Sequence, residues 1–245
     1  MIISYNNYMS KKVGRIFGLI IVNTITLIRL IGAFLLPFIY HKYGSSFTSL
    51  FIIGLFLSDQ IDGLLARTLK IPTFFGSIMD ASSDKILNLI SFIILGINHN
   101  IMFGPLIIEI AILYTIYSTY RYGGNIQSSF AGKVKTVILD ICVIFCFILL
   151  SLPALKVNNN IINYLIENTD NYILVLGIIT LIAGLIALND YVQKNKNARA
   201  NPNCMSIKYE EKNRKPMSII IKQLFDTKYY LKHKDESIMK QFYIQ

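Results

Sequence analysis

Six long stretches of this chain are almost free of charge: residues 24–40, 47–66, 75–97, 102–120, 136–155 and 172–191. A helix needs about 20 mostly apolar residues to cross the hydrocarbon core of a bilayer. Each stretch is close to that length, and the first gains more if residues 16–22 lead into it along the interface. Charged residues make up 16% of the 245 positions, where a soluble domain carries about 25%. They gather between the stretches and at both ends. A soluble globular domain, a disordered chain and a disulfide-stapled secreted module are thereby excluded. The expected fold is an all-α integral membrane protein with six transmembrane helices.

The formal net charge of +10 is read in the same frame. Basic residues between membrane segments mark cytoplasmic loops and contact with anionic head groups, so no nucleic-acid partner is expected. Lys11, Lys12, Arg15, Arg67, Lys70, Arg121, Lys133, Lys135, Lys194, Lys196 and Arg199 fall on one side of the six-span topology. The other side has little beyond Lys42 and Lys156. Both termini are then cytoplasmic, as an even number of spans requires. The N-terminus does not read as a cleaved signal peptide, because Arg29 interrupts the apolar stretch and no small-residue cleavage site follows. Cys142 and Cys146 lie within an apolar stretch and read as small hydrophobes, while Cys204 in the polar tail fits a reducing compartment. Composition turns polar from Gln193 onward. The membrane domain is therefore placed at 1–192 and a basic cytoplasmic tail at 193–245. The tail shows apolar clusters at 219–221 and 224–225 but no sustained helical stripe, and reads as a solvated tail or as a peripheral helix resting on anionic lipid. It is expected to be dispensable for chemistry, so that truncation after Lys196 leaves turnover within severalfold.

Against this apolar background four carboxylates stand out. A charge within a spanning helix costs at least roughly 2.5–3.5 kcal/mol at its centre. Asp59 and Asp62 nevertheless lie near the end of the second stretch, and Asp80 and Asp84 near the start of the third. Asp59, Asp62, Gly63 and Ala66 share one helix face, and Gly76, Asp80 and Asp84 share a face of the next helix. Small residues admit a close approach while the acids project into one gap. Four acids in one gap repel one another, and hard divalent cations such as Mg²⁺, Mn²⁺ or Ca²⁺ relieve that repulsion. Pairing with Arg67, Lys70 and Lys85 is the simpler alternative, but it leaves the small-residue faces unexplained. An ion path through a cation transporter is another, although a path places polar groups across the midplane rather than at one depth.

The run from Ser58 to Asp84 matches D-x2-D-G-x2-A-R-x8-G-x3-D-x3-D, with fixed positions Asp59, Asp62, Gly63, Ala66, Arg67, Gly76, Asp80 and Asp84. Chance produces such a match in a chain of this size with odds on the order of 10⁻⁷ at average residue usage. The pattern resembles the signature of the CDP-alcohol phosphatidyltransferase family. The resemblance implies transfer of a phosphatidyl group from CDP-diacylglycerol to an alcohol hydroxyl with release of CMP, a step in phospholipid biosynthesis. It implies two metal ions, Mg²⁺ or Mn²⁺, held by Asp59, Asp62, Asp80 and Asp84, with Asp84 also the general base. It also implies nucleotide contacts from Gly63, Ala66 and Arg67. Upstream, Asn23, Thr26 and Arg29 resemble the family's pre-motif helix, which contacts the nucleotide; a snorkelling Arg29 is the alternative. Thr73 occupies a loop position that often adds a further contact.

The acceptor is read from Gly132-Lys133-Val134-Lys135-Thr136, which resembles a run common in phosphatidylglycerophosphate synthases. Arg121, Lys133 and Lys135 are then the candidate acceptor-binding cations, and glycerol 3-phosphate the leading acceptor. An inositol phosphate, serine and phosphatidylglycerol are the alternatives, because Glu109 and Asp80-Ala81 depart from that subfamily's usual residues. Glu109 and Asp140 read equally well as partners of those cations or as helix-packing groups. A plasma-membrane location, a site at the cytoplasmic face and a homodimer complete the expectation.

Overall fold

The computed structural model describes residues 2–122, 124, 129–157, 159–200 and 215–233, with side chains from Phe17 onward. Cys204, with the rest of residues 201–214 and 234–245 of the tail, and the side chains of Lys11, Lys12 and Arg15 lie outside the described residues. Every regular element among the described residues is helical. The α-helices are α1 (Ile2–Thr68), α2 (Phe74–Asn98), α3 (Phe103–Arg121), α4 (Phe130–Ser151), α5 (Asn160–Glu167), α6 (Thr169–Ala200), α7 (Met217–Phe225) and α8 (Thr227–His233).

Four segments are long and apolar enough to cross a membrane: Phe17–Thr68, Asn100–Arg121, Phe130–Leu155 and Thr169–Ala200. The first, at 52 residues, would reach roughly 80 Å as one straight helix, far beyond a hydrocarbon core of about 30 Å. It is broken at Gly44, whose φ of 73° and ψ of −174° suit a residue without a Cβ. Thr48 Oγ1 donates to the Gly44 carbonyl at 2.7 Å and ties down the start of the second segment. The break falls between the apolar stretches at 24–40 and 47–66. Helix α2, although 25 residues long, stays outside the four because Asp80, Asp84 and Lys85 interrupt its first half.

The chain forms two compact units. Of the described residues, one unit holds those within 2–35, 53–87 and 216–233, and the other those within 36–52 and 88–215. In the first, Val22, Ile71, Phe74 and Leu87 are buried. Leu69 and Ile71 close over Gly18, where an added Cβ would lie 2.9 Å from Ile71 Cδ1. In the second, α6 packs against α3 and α4, with Ile108, Ile112, Ala187 and Tyr191 at its centre. Cys142 and Cys146 are free thiols buried in α4, as small hydrophobes would be. Large apolar side chains are exposed along the long helices, Leu50, Ile107 and Ile186 among them. A bilayer, not water, is the solvent such surfaces fit.

Two features depart from the sequence reading. Helix α6 continues past position 193 to Ala200, with Asn195 buried and its amide donating to the Thr115 carbonyl at 3.1 Å. The C-terminal region also holds two short helices, α7 and α8, which pack with the motif helices in the first unit.

Candidate active site

The site is built from three helical faces of the first unit. On α1, Asn23, Thr26 and Arg29 recur every third residue and so turn inward together. After the break, α1 presents Asp59 and Asp62 one turn apart, with Gly63, Ala66 and Arg67 continuing the same face. The chain then turns through Ile71-Pro72-Thr73 into α2. Thr73 Oγ1 accepts from the Gly76 amide at 3.1 Å and caps that helix. An added Cβ at Gly76 would lie 3.2 Å from Thr73 Oγ1 and 3.4 Å from Asn23 Oδ1, so the glycine permits a close approach of α1.

Arg29 stands at the centre of the carboxylates. Its guanidinium pairs directly with Asp59 and Asp80 and lies 3.7 Å from Asp62 and 3.4 Å from Asp84. Its Nε and Nη2 also donate to Ser83 Oγ at 3.0 and 2.8 Å. The residue is fully buried, which removes the snorkelling alternative. Thr26 donates to Asp62 Oδ2 at 2.8 Å, and both residues are buried. Arg67 is exposed, with Nε donating to the Gly63 carbonyl at 3.0 Å.

A cavity of about 750 Å³ opens beside these groups. Its lining includes Asn23, Thr26, Asp59, Asp62 and Asp80, with Gly63, Ala66, Arg67, Thr73 and Gly76 from the motif. Apolar walls come from Leu19, Val22, Ile71 and Pro72, and Tyr230 of α8 joins them. An added Cβ at Gly63 would meet only Arg67 Nη2 at 3.7 Å, an ordinary contact. No described residue fills the space beside Gly63, which leaves the helix backbone open to the cavity.

The donor set fits a divalent metal. One ligand oxygen each from Asp59, Asp62 and Asp80 lies within 4.8 Å of the others. Oxygen-only donors of this kind suit hard cations. Asp59, Asp62 and Asp80 share the Arg29 guanidinium, so these three carry more negative charge than Arg29 balances.

The residues read as acceptor-binding lie in the second unit and are not equivalent. Lys135 is buried and bonded to Glu109 at 2.5 Å. Gly132 makes room for α6, since an added Cβ would lie 2.7 Å from Tyr191 Oη. Thr136 donates to the Gly132 carbonyl at 3.0 Å, and Ser129 Oγ accepts from the Gly132 amide at 3.1 Å. Lys133 and Arg121 are exposed. Glu109 is thus the ion-pair partner of Lys135, and Asp140 accepts from Asn88 Nδ2 at 2.8 Å.

Two groups escaped the sequence reading. Ser83 bonds the central guanidinium, and its position one residue before Asp84 was the available signal. Tyr230 lines the cavity, contrary to the expectation that the tail stays away from the motif face. A pair of short aromatic-bearing helices makes no long apolar stripe, so periodicity gave no sign of it.

No curated protein and no solved structure matches the chain. The family model described as CDP-alcohol phosphatidyltransferase matches residues 19–188, which takes in every carboxylate of the cluster and most of the helical core. By that match and by the motif laid out along its cavity, the chain belongs to the CDP-alcohol phosphatidyltransferase family.

Proposed function

We propose that the protein is a metal-dependent enzyme of six membrane spans that transfers a phosphatidyl group from CDP-diacylglycerol to an alcohol and releases CMP. The observation that carries this reading is the cavity in which Asp59, Asp62 and Asp80 meet Asn23, Gly63 and Arg67. A CDP-linked lipid joins a charged pyrophosphate to a nucleoside, and a pocket with an acid cluster, neutral donors and small residues answers both parts. Ion transport would call for polar groups spread through the midplane, whereas these four carboxylates gather on one guanidinium.

Asp59, Asp62, Asp80 and Asp84 would hold Mg²⁺ or Mn²⁺. Bound divalent ions supply charge neutralisation to the pyrophosphate. Arg67 offers a planar fork to phosphate oxygens, and Gly63 and Ala66 let the nucleotide lie against α1. Arg29 holds Asp59 and Asp80 in position. Asp84 takes the proton of the acceptor hydroxyl as that oxygen bonds to the β-phosphorus. The bond from this phosphorus to the bridging oxygen breaks, and the oxygen leaves with CMP. The active site would face the cytoplasm.

Glycerol 3-phosphate is the leading acceptor, on the likeness of the Gly132–Thr136 run to phosphatidylglycerophosphate synthases. Lys135 is paired with Glu109, and Lys133, exposed two residues before it, is the cation that would meet the acceptor's phosphate. The test is to supply purified protein and Mg²⁺ with CDP-diacylglycerol and a panel of alcohols, and to follow CMP release. Release dependent on glycerol 3-phosphate is expected. Folded protein that releases CMP with none of the alcohols overturns the reading.

A further inference from the structure

Among the described residues lining the cavity, Tyr230 alone lies outside residues 19–188. It is held there by a set of aromatic contacts. Phe74 and Phe75, the first two residues of α2, meet both C-terminal helices. Phe75 stacks on Phe225 of α7 with centroids 4.6 Å apart and planes at 30°. Phe74 packs edge-on against Tyr230 at 4.9 Å and against Tyr229 at 6.2 Å. Phe74, Ile220 and Thr227 are buried, so the docking of α7 and α8 has an apolar seat.

The position of Tyr230 along the cavity follows from the helices around it. Asp80 lies six residues beyond Phe74 on α2, about 9 Å along the axis. On α1, Leu19 lies ten residues before Arg29, about 15 Å from it. Ile71 packs against Gly18, near that same end. Tyr230, seated on Phe74, therefore belongs to the apolar end with Leu19, Ile71 and Pro72, away from the carboxylates. A nucleoside diphosphate whose phosphates are drawn to the acid cluster, and to the Arg67 guanidinium that turns back to Gly63, leaves its base at this end.

We infer that Tyr230 is a substrate-positioning residue whose ring packs on the base of the CDP-linked substrate, so that the C-terminal helix pair completes the nucleotide pocket. The inference rests on the phosphatidyltransferase reading. An aromatic face supplies stacking to a planar base, and the phenol adds one donor and an acceptor.

The experiment uses the full chain in lipid nanodiscs, with direct binding of CDP and inhibition of turnover by CMP and by pyrophosphate. Tyr230→Ala is expected to weaken CDP binding and CMP inhibition about tenfold or more, on the scale of one lost stacking contact. Pyrophosphate inhibition and kcat should hold, with KM rising for CDP-diacylglycerol and not for the alcohol. Tyr230→Phe should restore binding to within about threefold, because the ring remains. Leu231→Ala, an exposed neighbour outside the lining, should bind CDP as wild type does. Tyr230→Leu fills the seat on Phe74 without an aromatic face and guards against misfolding of the alanine variant; it should bind CDP as weakly as Tyr230→Ala. Wild-type binding by the leucine variant, or equal loss of CMP and pyrophosphate inhibition, overturns the role of Tyr230 and leaves the phosphatidyltransferase reading standing. Folded wild type that neither binds CDP nor releases CMP overturns both.

Discussion

Two ionic clusters of this protein differ in their burial and in their balance of charge. In the second unit, Glu109 and Lys135 form a one-to-one pair, each side chain 7% exposed. In the first unit, one guanidinium serves four carboxylates, and those of Asp59, Asp80 and Asp84 are 33%, 44% and 29% exposed. A matched buried pair holds helices together at little net gain, because desolvation offsets most of the attraction. A cluster with acids in excess, open to a cavity, is costly by itself and retains affinity for further cations. The contrast separates a structural ion pair from a candidate catalytic site without reference to motif.

Breaking the excess-charge cluster at its base should have the largest effect. Asp84→Asn is expected to lower kcat about 10²–10⁴-fold while leaving the fold and CDP binding intact. Substantial turnover of this variant at saturating metal would remove Asp84 from the role of base. The guanidinium comes next. Arg29→Met leaves the carboxylates without their central cation and should cost at least about 3–5 kcal/mol of stability. Mg²⁺ should recover more of the melting temperature in the variant than in wild type. Equal melting of the two proteins in chelator would mean that Arg29 does not balance the cluster.

The balanced pair should behave in the opposite way. Glu109→Gln strands a buried ammonium and is expected to cost about 3–5 kcal/mol, yet turnover per folded molecule should stay within severalfold. Adding Lys135→Met should recover much of the lost stability, as a double-mutant cycle would measure. Should the double variant be stable but unable to use any acceptor, the pair belongs to the active site after all. The smallest effect is expected at Lys133. Lys133→Ala should raise KM for glycerol 3-phosphate up to about tenfold and leave that for CDP-diacylglycerol unchanged. No change in either constant points to a neutral acceptor such as serine.

The same comparison shows how far the residues were legible before the structure. The acid cluster was readable because its spacing is local: intervals of three and four put Asp59 with Asp62 and Asp80 with Asp84, whatever the rest of the chain does. The apolar stretches were readable for a similar reason, since bilayer thickness sets a length any spanning helix must meet. The Gly132–Thr136 run was harder. Its glycine, second lysine and threonine are taken up by Tyr191, Glu109 and a backbone carbonyl, and two of those partners lie on other helices.

Sequence by itself determined the all-helical membrane class, the carboxylate faces and the family. Those properties depend on composition and on intervals within a turn or two of helix. Only the tertiary structure decided that Arg29 enters the midst of the acids, that Lys135 turns to Glu109 and that Tyr230 reaches the cavity. Arg29 and Asp80 are 51 residues apart, and Tyr230 lies beyond the whole matched region. Periodicity tells which face of a helix is inward. It cannot tell which other helix that face will meet, because the packing of whole faces, not any local interval, selects the partner.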